Sequence, residues 1–135
     1  MRFFFDNCVS PRIAEALAVL EADQGTVVKH LRHRFAGSTL DPEWLGALGQ
    51  EGDWIICSTD LRIRRNPDNR RAWQEAKLTT FFFSENCANS QIWPQVQEVM
   101  RYWQEIKLVA RKSEGEPAAY RLPWRQSKAV FIEHI

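Results

Sequence analysis

The apolar positions of this chain fall in short runs separated by longer amphipathic stretches. Phe3, Phe4 and Phe5 form the first run, bounded by Arg2 and Asp6. Aromatics without alternation are the pattern of a strand buried on both faces in a parallel sheet, which predicts a strand over residues 2–5. Ser10 and Pro11 supply an N-cap and a first helical residue. Ile13, Ala16, Leu17 and Leu20 then recur on one face, predicting a helix to about residue 22. A Gly turn and the β-branched Thr26, Val27 and Val28 predict a second parallel strand, completing one βαβ unit. Residues 32–40 are polar with one Gly and read as a loop.

Asp41 as N-cap, Pro42 at N1 and Glu43 at N2 open a second helix carrying Trp44, Leu45 and Leu48. Trp54, Ile55, Ile56 and Cys57 predict another central strand, which gives way to Ser58, Thr59 and Asp60. Asn66, Pro67 and Asp68 start a helix to about Lys77, and residues 78–83 (LTTFFF) predict a fourth strand. Ser90 is read as the cap of a helix over 91–109 with Ile92, Val96, Val99, Trp103 and Ile106, and Pro94 lies in its first turn, where a missing donor costs little. Residues 112–117 (KSEGEP) read as a linker, and an edge strand is expected at about 128–133. This alternation predicts a three-layer α/β/α fold with a mostly parallel central sheet of four to five strands. In such sheets ligands bind beyond the carboxyl ends of the strands, where strand order reverses.

Composition narrows this further. At 135 residues and 44% hydrophobic, the chain has the size of a single domain, residues 1–135, with a core of its own. The net charge of +1 provides no general attraction for a polyanion or a membrane surface, so any such site has to come from local clustering. Cys8, Cys57 and Cys87 are odd in number and widely spaced, which predicts a reduced cytoplasmic protein without a disulfide framework. No segment approaches the roughly 18 apolar residues of a membrane span, and the first apolar run ends too early for a signal peptide, so a soluble protein is expected.

Candidate chemistry sits at the strand ends. Asp6 and Asp60 close two predicted strands, and Asp41 opens the helix before the second of them. Converging on one sheet edge, three carboxylates repel unless a cation lies between them, and hard oxygen ligands suit Mg²⁺ or Mn²⁺. Each residue also has a plain structural reading. Asp41 can be an ordinary N-cap and Asp60 a turn residue, whereas Asn7 and Ser10 can serve the first turn and leave Asp6 without a purely local task. Glu43 follows in the same first helical turn as Asp41. His30, His33 and His134 lack zinc-site spacing. Arg62, Arg64, Arg65, Arg70 and Arg71 crowd into ten positions after Asp60, either as a solvated helix face or as a surface for phosphate oxygens, which guanidinium forks match well. Arg32, His33 and Arg34 can extend that surface.

Three blocks, FFFDNCVSPRIAEAL, DPEWL and DWIICSTDLRI, occur in the order and spacing of a known family. Over roughly residues 1–85 the chain resembles PIN-like domains, specifically the VapC-type toxin-related branch. The resemblance implies a parallel-sheet α/β/α fold and a metal-dependent endoribonuclease, commonly the toxin of a type II toxin–antitoxin pair. It implies that Asp6, Asp41 and Asp60 hold one or two Mg²⁺ ions that activate a water for in-line attack on a phosphodiester. Thr59 is implied to position the neighbouring carboxylate or a water on the metal, Asn7 to reach the site, and Arg62, Arg64 and Arg65 to position the RNA backbone. The chain departs from the family in lacking a fourth acidic residue between Asp23 and Asp41, for which Glu43 is the available substitute.

Two other readings keep parts of this picture. A degenerate module would bind RNA or a protein without cleaving. An interaction surface would use Trp93, Tyr102, Trp103, Trp124 and Phe131 against a cognate antitoxin or a second copy in a homodimer, although Trp103 with Val96 and Val99 also reads as core.

Overall fold

Phe3, Phe4 and Phe5 have no solvent exposure at all, because β1 (Arg2–Phe5) lies inside a parallel sheet with a helical layer on each face. The computed structural model describes residues 1–59 and 62–135. Its six strands run in the order β2 (Val27–His30), β1, β3 (Trp54–Ser58), β4 (Thr80–Phe83), β5 (Ala118–Leu122) and β6 (Val130–His134). Only the β5–β6 pair is antiparallel.

Side-chain alternation along β1 divides the core in two. Phe3 and Phe5 pack with Ile13, Ala14 and Leu17 of α1 (Pro11–Leu20) and with Val99, Tyr102, Trp103 and Ile106 of α7 (Ile92–Lys112). Phe4 faces the other way, onto Trp44, Leu45 and Leu48 of α3 (Asp41–Glu51) and Trp73 of α5 (Pro67–Ala76). The fold is therefore the expected three-layer α/β/α arrangement. Burying one such aromatic contributes about 2–3 kcal/mol, so the three phenylalanines anchor both layers to one strand. Trp103 is core, its ring centroid 4.7 Å from that of Phe3.

The sheet has one strand more than the pattern predicts. Ala118 and Ala119 carry little strand propensity, yet both are buried, and small side chains fit where β5 passes between the two cores. Residues 31–34 form a helical turn, α2 (Leu31–Arg34), instead of loop. Its N-cap is His30, whose ring accepts from Arg32 N at 3.1 Å and meets Val9 O at 2.7 Å; burial lowers this histidine's pKa. A short helix, α6 (Glu85–Ala88), capped by Ser84, precedes α7. Ser90 does not cap α7: its hydroxyl donates to Asn86 O, and Gln91 is the cap residue. Between α3 and α5 the backbones nearly touch, since a Cβ on Gly49 would lie 2.8 Å from Ala76 Cα.

Three of the described carboxylates, each ion-paired, tie elements together at acid-sensitive points. Glu51 accepts from the Arg34 guanidinium and from Trp54 Nε1, at 2.6 Å, and these bonds lower its pKa from an ordinary 4.5 to about 2. Lys107 and Trp103 hold Glu21 below its ordinary value, and Arg70 and Arg64 do the same for Glu133. A lowered folded pKa contributes stability that is complete above 4.5 and is lost as pH falls through the folded value. The melting temperature is expected to begin falling below about 6.5, where the unfolded chain takes up a proton that the buried His30 ring resists, and to drop further between 4.5 and about 2. Glu51→Gln flattens that drop by about 1 kcal/mol or less, because the pair is partly solvated. Thermal melts across pH on both proteins check this, and identical acid limbs would remove Glu51 as a contributor.

Candidate active site

The chain runs from β1 through α1 to β2 on one side, then crosses back through α3 to β3 on the other. Strand order thus reverses between β1 and β3, and the groove beyond their carboxyl ends is the expected ligand position. Asp6 stands there, continuing β1: its N–H donates to Cys57 O at 3.3 Å. The side chain of Asp6 is 4% exposed and doubly held. One carboxylate oxygen accepts from Cys8 N at 3.0 Å and the other from the Ser58 hydroxyl. Because Asp6 follows Phe5 in register, it projects to the Phe4 side of the sheet, toward α3.

Asp41 meets it from that side. Asp41 is the first residue of α3 and does not cap it; Leu40 occupies the N-cap position and makes no side-chain cap bond. The carboxylate of Asp41 is used sideways. It accepts from Trp44 Nε1 at 3.0 Å and from Asn69 Nδ2 at 3.1 Å. Asn69 reaches it because Asn66 caps α5, accepting from the backbone N–H of Asp68 at 3.0 Å and of Asn69 at 3.2 Å. Asp6 and Asp41 line one cleft of about 550 Å³, along with Asn7, Arg62, Asp68 and Asn69. A cavity of about 510 Å³ at the opposite sheet edge, beside Arg2, Asp53 and Lys77, is lined by no residue singled out in the sequence for catalysis.

The remaining sequence candidates are distributed as follows. Asp60 lies outside the described residues. Thr59 is buried, and its hydroxyl is the one buried side-chain polar atom without a hydrogen-bond partner among the described residues. Asn7 bonds Gly37 O at 2.8 Å and accepts from Arg32 Nε at 3.2 Å, so it pins the loop walling the cleft. Glu43 is exposed in the first turn of α3 and is not among the cleft-lining residues. Asp68 does line it, at a position the sequence marks only as a helix start. Sequence reasoning also missed Ser58, Trp44 and Asn69, whose bonds orient the two carboxylates.

The PIN like domain family model matches residues 1–85. The chain belongs to the PIN-like domain family. No curated protein and no solved structure matches it significantly. PIN-like domains are commonly nucleases, which places this chain at a coarse level as a nuclease-type hydrolase or RNA-binding module. Residues beyond the matched region supply β5 and β6 to this PIN-like domain's sheet and α7 to the layer on one of its faces. No described helix is long and apolar enough to cross a membrane.

Among the described residues of this PIN-like domain's cleft, Asp6 and Asp41 carry hard oxygen donors that could hold a divalent cation. Asp6 and Asp41 offer carboxylate oxygens oriented by hydrogen bonds from the protein, as metal-ligating carboxylates require. Among the described residues no three His, Cys, Asp or Glu side chains form a metal-holding group, so the pair needs a further oxygen donor. The arginines split into two sets. Arg62 lines the cleft and Arg65 is exposed, whereas Arg64 and Arg70 both grip Glu133 of β6, with Nη2 atoms at 2.9 and 3.0 Å. Arg64 and Arg70 thereby tether the last strand to α4 (Arg62–Arg65) and α5.

Proposed function

We propose that this PIN-like domain is a metal-dependent endoribonuclease and the toxin component of a type II toxin–antitoxin system acting in the cytoplasm. The observation that carries the nuclease reading is the meeting of Asp6 and Asp41 in one cleft at the switch point, each carboxylate braced by two donors among the described residues. Asp6 and Asp41, with Asp60 as the third oxygen donor, would hold Mg²⁺ or Mn²⁺. The ion supplies Lewis-acid polarisation and charge neutralisation for phosphodiester hydrolysis. The protein's own contribution is positional. Ser58 and the Cys8 N–H fix Asp6, Trp44 and Asn69 fix Asp41, and Arg62, which lines the cleft, would place a guanidinium beside a backbone phosphate.

The toxin assignment is supported by the family resemblance of the three motif blocks and by apolar side chains open to a protein partner, among them Trp93, 73% exposed, and Phe131, 51% exposed. Tyr102 and Trp103, in contrast, are buried and unavailable to an antitoxin or a second copy. A binding-only module would use the same cleft and basic side chains to hold RNA without cleaving it. The two readings separate in one experiment. A labelled single-stranded RNA incubated with the protein is expected to be cleaved with Mg²⁺ or Mn²⁺ and left intact with EDTA. Binding without cleavage under every divalent ion tried would establish the binding module instead.

A further inference from the structure

We infer that Leu40 is a nucleobase platform at the mouth of the cleft, selecting single-stranded RNA; this rests on the nuclease or RNA-binding reading above. A lone exposed leucine on a protein surface needs no explanation. Leu40 differs in being 67% exposed while lining the cleft and directly preceding Asp41. Its backbone is fixed, since Leu40 O accepts from Glu43 N at 3.0 Å and from Trp44 N at 3.4 Å. The loop behind it is fixed too, through Asn7 Nδ2 on Gly37 O at 2.8 Å and Thr39 N on Ala36 O at 3.0 Å. Asn7 follows Asp6, so the same turn that aims one carboxylate also sets the wall on which Leu40 stands.

The rest of the cleft suits a nucleotide's polar parts. Ser38 and Thr39 carry hydroxyls on one wall, and Asn66 and Asn69 carry amides on the other. These groups can meet base edges and a 2′-hydroxyl, leaving the flat apolar face of a base to be covered. Leu40 supplies that cover beside Asp41, where the nucleotide flanking the scissile phosphate would lie. Bases in a duplex are stacked on their neighbours and cannot present a face to it, so the platform discriminates by strandedness.

The test measures binding of a labelled single-stranded RNA in Ca²⁺ and cleavage in Mg²⁺. Leu40→Ala is expected to weaken binding about tenfold and to raise KM more than it lowers kcat, whereas Leu40→Phe restores both. Substrates with one abasic nucleotide complete a cycle. At one position beside the cut, base removal costs the wild type about tenfold and costs Leu40→Ala nothing further. Duplex RNA competes poorly with either protein. Equal binding by wild type and Leu40→Ala, or an abasic loss of the same size in both, overturns the inference while leaving the nuclease reading intact. RNA binding without cleavage overturns the nuclease reading and leaves the Leu40 cycle measurable. No RNA binding overturns both.

Discussion

Asp6→Asn is expected to reduce RNA cleavage by at least about 100-fold while leaving the fold in place. The magnitude follows from the role: partners that merely orient a metal ligand are worth about 10–100-fold, and the ligand itself more. The substitution is conservative in shape. Asparagine keeps one oxygen to accept from Cys8 N, and the Ser58 hydroxyl can rotate to accept from the new amide. Stability without metal should therefore stay within about 1 kcal/mol of wild type. Two readouts move together if Asp6 holds the ion. Cleavage falls, and the rise in melting temperature that Mg²⁺ gives the wild type by mass action disappears in the variant. Equal residual activity in the two proteins would remove Asp6 from the mechanism.

That Asp6's place at the carboxyl end of an interior strand was legible from sequence alone has a physical cause. A strand buried on both faces reads as an unbroken apolar run, and a carboxylate at its end has no packing reason to be there. Phe3 to Phe5 thus located both an interior strand of the sheet and the end at which the cleft opens. The same logic found β3 and β4. It failed for β5, where alanines are buried by neighbours that only the tertiary fold supplies, and for α2 and α6, which are single turns too short to show a period. Asp41 lines the cleft, but its reading as an N-cap does not hold. Asp–Pro reads locally as a cap, whereas the carboxylate is claimed by an indole one turn along and an amide 28 residues away. Partners such as Asn69 leave no local trace in sequence. The arginine cluster shows the same limit, since Glu133 lies 69 residues from Arg64 and nothing near either residue announces the pair.

Trp44 connects stability to the site, and replacing it should separate the two. The residue has no solvent exposure, and its ring stacks on Phe4 at 5.4 Å while the indole N–H holds Asp41. Trp44→Ala is expected to cost about 3–5 kcal/mol, through lost transfer energy and the cavity left between α3 and the sheet. For a domain of this size that lowers the melting temperature by on the order of 10–20 °C. Trp44→Phe keeps most of the packing and deletes only the donor. It should cost about 1–2 kcal/mol, because one oxygen of Asp41 loses a charge-assisted bond. Asn69 still holds the other oxygen, so the carboxylate is left loosely aimed instead of lost. Cleavage by Trp44→Phe is then expected to fall about 10–100-fold, at temperatures where the variant is fully folded. Denaturant melts and initial rates on the two variants decide the matter. If Trp44→Phe cleaves like the wild type, the indole serves the core alone and Asp41 needs no such brace.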